Sequence, residues 1–174
     1  MLLIAVATIG TLSIGANMVA SSASSPVSGT VNVYIAPGKA QASPVYITGV
    51  IGDSGKVVTV DQSGKANQNG NFASLTFKHG TFRADMTALN AAWNNFKAVW
   101  NMTTCSISAS VTASVTLSNG TGRYKAISGS ISVTGIEAVI QPTYKSGANK
   151  GKCNLSSQKN TRYMAYSGTG TISY

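Results

Sequence analysis

Between Cys105 and Leu117 every second side chain is apolar, and every intervening one from Ser106 to Thr116 is Ser or Thr. Successive side chains of a strand point to opposite faces, so this stretch reads as a strand with one buried and one wetted face. The segment Asn119-Gly120-Thr121-Gly122 then supplies residues that tolerate positive φ, and Ile127, Gly129, Ile131 and Val133 resume the inward set. The two runs and their turn make a paired antiparallel unit, and that unit fixes the fold class.

The same pattern recurs along the chain. Val31, Val33 and Ile35 alternate with polar neighbours and stop at Ala36-Pro37-Gly38, while Val45 to Ile51, Lys56 to Asp61 and Phe72 to Phe77 are rich in strand formers. Turn formers dominate Gly52-Asp53-Ser54-Gly55 and the stretch from Gln62 to Asn71. His79-Gly80-Thr81-Phe82 breaks or bulges the ribbon before Phe82 and Ala84. From Tyr166 to Tyr174 the alternation returns, with Gly168, Gly170 and Ile172 inward. Glycine on inward positions permits the tight curvature of a closed sheet. The expected fold is therefore all-β, with seven to nine strands arranged as an antiparallel barrel of about eight.

One segment departs from this pattern. Met86, Leu89, Trp93, Phe96 and Trp100 recur at spacings of three and four, which is one stripe of a helix, and Asp85 stands where it can cap the first turn. A short helix or plug near 85–101 is expected, closing a barrel end or covering a sheet face. A helix laid on a membrane or partner and a bulged strand are the alternatives.

Leu2 to Ala20 is an apolar run ahead of the small-residue patch Ala20-Ser21-Ser22-Ala23, read as a signal peptide over 1–23 followed by one domain over 24–174. The run begins without Lys or Arg and is interrupted by Gly10, Gly15 and Asn17. It barely reaches the roughly 20 residues that cross a bilayer, so no stable span is expected after processing, and an uncleaved anchor is the rival reading. Secretion or residence in the cell envelope follows. Cys105 and Cys153, 48 residues apart, are the two cysteines, and an oxidising compartment favours a disulfide between them. In the chain-entropy model such a closure contributes about 4 kcal/mol.

Thirteen basic residues oppose four acids, giving a formal charge of +9. Lys145, Lys150, Lys152, Lys159 and Arg162 occupy one stretch with no acid among them, which suits an anionic partner in the cell envelope; the plainer reading is a solubilising surface. No aromatic platform or recognised motif accompanies them, so nucleic acid is not an expected partner. There is no GxSxG, no HExxH, no paired cysteines at metal spacing and no phosphate loop, and no catalytic residue, metal or cofactor is assigned. Asp53 and Asp61 lie in or beside turns, where Asp bonds its own backbone. Glu137 follows an inward-alternating strand. Inside a barrel it would be a desolvated carboxyl and an acid or base candidate; at the rim it would pair with a base such as Arg123 or Lys125. Glu137, Arg123, Tyr124 and His79 are the candidate polar residues of lumen or rim.

Gly120-Thr121-Gly122-Arg123-Tyr124-Lys125-Ala126-Ile127-Ser128-Gly129 resembles the glycine- and aromatic-bearing signature shared by dirigent proteins and allene oxide cyclases. Residues 77–135 and Ser167-Gly168-Thr169-Gly170 are more similar to small secreted actinobacterial proteins with KHGTF-like and GTGxYxGxSG-like segments. The resemblance implies an eight-stranded antiparallel barrel and carries over no active-site residue. The Trp-bearing segment departs from the short strand connections of those families, which argues against a freely open mouth. Three roles are then expected in order: a non-enzymatic bacterial barrel that takes a small apolar or aromatic molecule into its lumen or attaches to the envelope through its basic loop; a dirigent-like or cyclase-like enzyme; and a structural surface subunit that retains its hydrophobic N-terminus.

Overall fold

The computed structural model describes residues 26–38 and 42–174. The leader expected at 1–23 lies outside the described residues. The strands are β1 (Ser28–Ile35), β2 (Ala42–Gly49), β3 (Asp53–Val60), β4 (Phe72–Phe77), β5 (Gly80–Asp85), β6 (Val99–Asn101), β7 (Ser106–Ser118), β8 (Ser128–Ile140) and β9 (Thr161–Ser173), and one helix, α1 (Thr87–Asn94), lies between β5 and β6. Every pairing is antiparallel. The order β5-β4-β3-β2-β1-β9-β8-β7 closes on itself where Arg83–Asp85 of β5 meets Thr116–Ser118 of β7, an eight-stranded barrel. β6 is an additional strand on the start of β7.

The alternation that set the fold class is realised residue by residue. Ala109, Val111, Val115 and Leu117 are buried while Ser108, Ser110, Thr112, Ser114 and Thr116 are exposed. β8 sets Val133 opposite Ala113 and Ile131 opposite Val115. β9 in turn sets Gly168 opposite Val133 and Ile172 at the buried end of its run. Val31, Val45, Ile51 and Phe82 complete the core from the other strands. Each such side chain contributes about 1.5–3 kcal/mol through its removal from water.

The extent of the helical segment is corrected. The helical stripe from Met86 to Trp100 is helical only to Asn94, because Asn94-Asn95 carries short amides that compete with the helical backbone. Asn95 Nδ2 indeed turns back to the Ala91 carbonyl at 2.9 Å. Beyond it Trp100 belongs to β6, where Val99–Asn101 pairs with Ser106–Ser108. Asp85 is not the cap of α1, a place that Met86 takes without a side-chain bond; one residue earlier, its Oδ1 accepts the Thr87 N–H at 2.9 Å and the Thr87 hydroxyl at 2.6 Å. The β7–β8 connection holds the expected turn residues and one further short element. Asn119 and Gly122 do take positive φ, 53° and 56°, but the chain then makes a single 3-10 turn, Gly122–Tyr124, before β8 begins. The His79 carbonyl oxygen approaches Gly122 so closely that a Cβ would not fit, and it accepts the Arg123 N–H at 2.8 Å. Tyr124 is thereby driven into the barrel end.

Strand direction gives the barrel two distinct ends. One carries the β2–β3, β4–β5 and β7–β8 turns, together with Val27 and Tyr174 paired at 2.9 Å. The other carries the β1–β2 and β3–β4 connections, α1, β6 and the β8–β9 loop over 141–160. β7, β8 and β9 each run 13 residues against 8 or fewer for the rest and overshoot the barrel at this second end. Cys105 and Cys153 form the expected disulfide, with a Cα–Cα distance of 5.2 Å, tying the 141–160 loop to the start of β7.

Candidate ligand-binding site

The first end of the barrel is sealed. Phe77, Phe82, Tyr124 and Tyr174 stack edge and face with ring centroids 5.2–5.9 Å apart. Within this plug the Tyr124 hydroxyl donates to Asp53 Oδ2 at 2.6 Å, and His79 Nδ1 lies 3.0 Å from the same oxygen. Arg123 Nη2 donates to the Tyr174 hydroxyl at 3.1 Å, which itself donates to the Val50 carbonyl at 2.8 Å. The Asp53 side chain is only 6% exposed. Burial acts to raise its pKa, but the hydrogen bonds from Tyr124, His79 and the Ser54 N–H outweigh it and hold the carboxyl at about 2. Burial and the Asp53 charge push the Tyr124 hydroxyl well above the usual range. Each of these side chains has a partner, and the constellation locks the turns of this end together.

Above the plug the barrel is hollow. β4 and β5 pair Phe77 with Gly80, then Leu75 with Phe82, then Ala73 with Ala84, so the large side chains end one layer below the mouth and the small ones leave space. Across the lumen Ala113, Val133 and Gly168 share a row of similarly modest bulk. The result is a cavity of about 350 Å³ with Leu75 and Phe82 at its base and Val33, Ile47, Val115 and Ile131 on its walls. That lies toward the lower end of the roughly 300–1,000 Å³ typical of small-molecule sites.

The mouth supplies a few polar groups. Asp61 Oδ1 accepts the Ser63 N–H at 2.9 Å and the Lys65 N–H at 3.1 Å, which folds the 61–71 loop onto itself. Arg83 donates to the Asp61 and Gln62 carbonyls at 2.7 and 2.9 Å while its guanidinium covers the Phe72 ring at 3.8 Å. The loop so held presents Asn67 and Gln68 to the cavity. Asn90 of α1 reaches the same lip and ties helix to loop by donating to Gly70 O at 3.2 Å and Asn71 Oδ1 at 2.9 Å. Among the described residues no carboxylate, amine, guanidinium or imidazole lines this space, and its one titratable group is Tyr166. Burial raises the Tyr166 hydroxyl; the Trp93 indole N–H and the Arg162 charge act the other way. Trp93 Nε1 is buried and, among the described residues, lies outside hydrogen-bonding geometry with any acceptor. Tyr166 itself donates to Met164 Sδ at 3.0 Å.

The four polar candidates do not form one site. His79, Arg123 and Tyr124 belong to the sealed end, whereas Glu137 stands on the overshooting part of β8, opposite Ala109 and Met164. It occupies an inward register but pairs with Arg162 Nε at 2.6 Å, not with Arg123 or Lys125, because those two lie at the opposite end of the barrel. Arg162 is therefore committed to a carboxylate and drops out of the free basic set. Lys145, Lys150, Lys152 and Lys159 remain exposed on the 141–160 loop with no carboxylate in ion-pair range. The sequence reading missed Asp53 as the partner of Tyr124, and missed the lip amides and Tyr166. The last lay in plain view on the inward register of β9.

Comparison with protein-family models, with curated proteins and with solved structures returns no match. Fold and geometry thus define the class: a closed eight-stranded antiparallel barrel, stoppered at one end, with an apolar lumen under polar lips at the other.

Proposed function

We propose that this protein is an exported, non-enzymatic barrel that holds one small, uncharged, largely apolar molecule in its lumen. The observation that carries the reading is the pairing of a hollow of about 350 Å³ with apolar walls and a lip of uncharged amides. Such groups orient a ligand by hydrogen bonding without demanding charge on it, and burial of the apolar part supplies the affinity. A neutral solvatochromic dye tests this. It is expected to bind at one per chain with a blue-shifted emission, and Ala84→Phe, which adds a ring into the lumen above Phe82, is expected to abolish the signal while leaving the circular dichroism intact. Absence of dye binding, or equal binding by the filled variant, would overturn the reading.

A second role is supported by the four unpaired lysines on the loop that Cys153 anchors at the mouth end: attachment to an anionic component of the cell envelope. Sedimentation with anionic envelope fractions should then weaken steeply with salt, since exposed charges are screened over about 10 Å at 0.1 M. Binding indifferent to salt counts against it. The resemblance to dirigent proteins and allene oxide cyclases keeps an enzymatic alternative, in which the Tyr166 hydroxyl, the titratable group at the cavity, would be the polar handle on a reactive guest. Its test is turnover lost in Tyr166→Phe with guest binding retained.

A further inference from the structure

A second hollow, of about 290 Å³, lies on the outside of the wall, and Ile35 and Tyr166 line both it and the lumen. The cause is a step in the barrel. β1 ends at Ile35, whose cross-strand partner on β9 is Tyr166. From Thr161 to Ala165, β9 continues with β8 on one side and, among the described residues, no strand on the other. The wall is thus interrupted beside Tyr166, and the outer groove fills the notch. Tyr34, Tyr46 and Tyr163 line it with about half of each residue exposed, and Tyr34 and Tyr46 are direct cross-strand partners. Among the described residues no charged side chain lines the groove, on a chain of net charge +9.

Tyr166 is held as a movable wall would be. Its ring lies over Gly135, where even a Cβ would come within 2.7 Å of it, so glycine at 135 makes its seat. Trp93 packs against the same seat. Its hydroxyl donates to the Met164 sulfur, a weak acceptor on a flexible side chain. Nothing comparable exists at the sealed end, where each aromatic hydroxyl bonds to a carboxylate or carbonyl oxygen.

We propose that the outer groove is the second compartment of the ligand site and that Tyr166, backed by Ile35, is the partition between the two. The cargo is then an elongated uncharged molecule, with an aliphatic segment for the lumen and a further segment for the tyrosine-lined groove, admitted laterally when the Tyr166 ring swings off Gly135. This rests on the lumen reading above and names its ligand class.

A homologous series of straight-chain primary alcohols, titrated calorimetrically against the full chain, tests it. Each methylene moved from water into an apolar site strengthens binding about fourfold. In the wild type that gain should pause at the chain length that fills the lumen, because the Tyr166 ring must first leave Gly135, and resume for longer chains. In Tyr166→Ala it should run on through that length without a pause, as it should in Ile35→Ala, while Tyr166→Phe, which keeps the ring, should pause where the wild type does. Adding Tyr34→Ser and Tyr46→Ser to Tyr166→Ala should remove the extra gain without weakening the shorter alcohols. If no alcohol binds any variant, the lumen reading itself fails. If alcohols bind but Tyr166→Ala and Ile35→Ala keep the wild-type pause, or the wild type gains nothing beyond the lumen, the partition is refuted while the lumen reading stands. Should Tyr166→Ala lose its circular dichroism signature, Ile35→Ala decides alone.

Discussion

At the sealed end Tyr124, Asp53, His79, Arg123 and Tyr174 satisfy one another over 2.6–3.1 Å, and the rings among them fill the space. At the open end Trp93 Nε1 and Arg83 Nε are buried without an acceptor among the described residues, the lumen is hollow and three tyrosines stand half exposed beside it. Buried polar groups are normally paired, so an end that pairs its polar side chains is built for stability, and an end with an apolar hollow under uncharged amides is where a guest can be held. Stabilising chemistry and binding chemistry are segregated along the barrel axis. Substitutions at the two ends should therefore fail in different ways.

The largest stability effect is expected from Tyr124→Ala. It empties a fully buried ring site and strands the Asp53 carboxylate, a loss of about 5 kcal/mol or more. Chemical denaturation measures it, and a loss under about 2 kcal/mol would show that the plug is not the keystone of the sealed end. Next comes Cys105→Ser with Cys153→Ser at the open end, expected to cost about 4 kcal/mol by freeing a 48-residue loop in the unfolded chain. The same pair should leave dye binding at saturation unchanged, because neither cysteine lines the lumen.

Asp53→Asn follows, at roughly 2–3 kcal/mol. The sign of its pH dependence is set by a folded carboxyl held at about 2 against an ordinary 3.8. The contribution is fully present above the ordinary value and is lost as the pH falls from there toward 2. Acid titration of the wild type should therefore show a loss of stability in that window that Asp53→Asn lacks; parallel curves for the two proteins would remove Asp53 from the lock. The smallest effect belongs to the basic loop. Replacing Lys145, Lys150, Lys152 and Lys159 by Gln should shift stability by less than about 0.5 kcal/mol, since these side chains are exposed and unpaired. Any salt-dependent envelope binding should nonetheless disappear. A large stability change would mean the loop belongs to the fold rather than to a partner.

How much of this was legible beforehand depended on the distance over which each feature is determined. Asn119 and Gly122 at positive φ and the inward set of β7 are decided within a few residues, and they read directly from the chain. The end of α1 was misread because the stripe from Met86 to Trp100 satisfies helical spacing throughout, while the pairing of Trp100 with Ile107 is made by β7. Glu137 could be placed on an inward register, but not matched to its base. Its partner depends on which of the neighbouring strands overshoots the barrel, and that put Arg162, rather than Arg123 or Lys125, beside it.

By itself the sequence determined the all-β class, the buried and wetted face of each long strand, the antiparallel closure expected of inward glycines, and a single disulfide. Period and composition act locally, so the chain carries them openly. Only the tertiary structure decided that Asp53 would meet Tyr124 across 71 residues, that Ala73 and Ala84 would face each other above Leu75 and Phe82 to leave a hollow, and that β1 would end beside Tyr166. These follow from strand lengths and the register at which the barrel closes. That register is settled jointly by all eight strands and written in none of them alone.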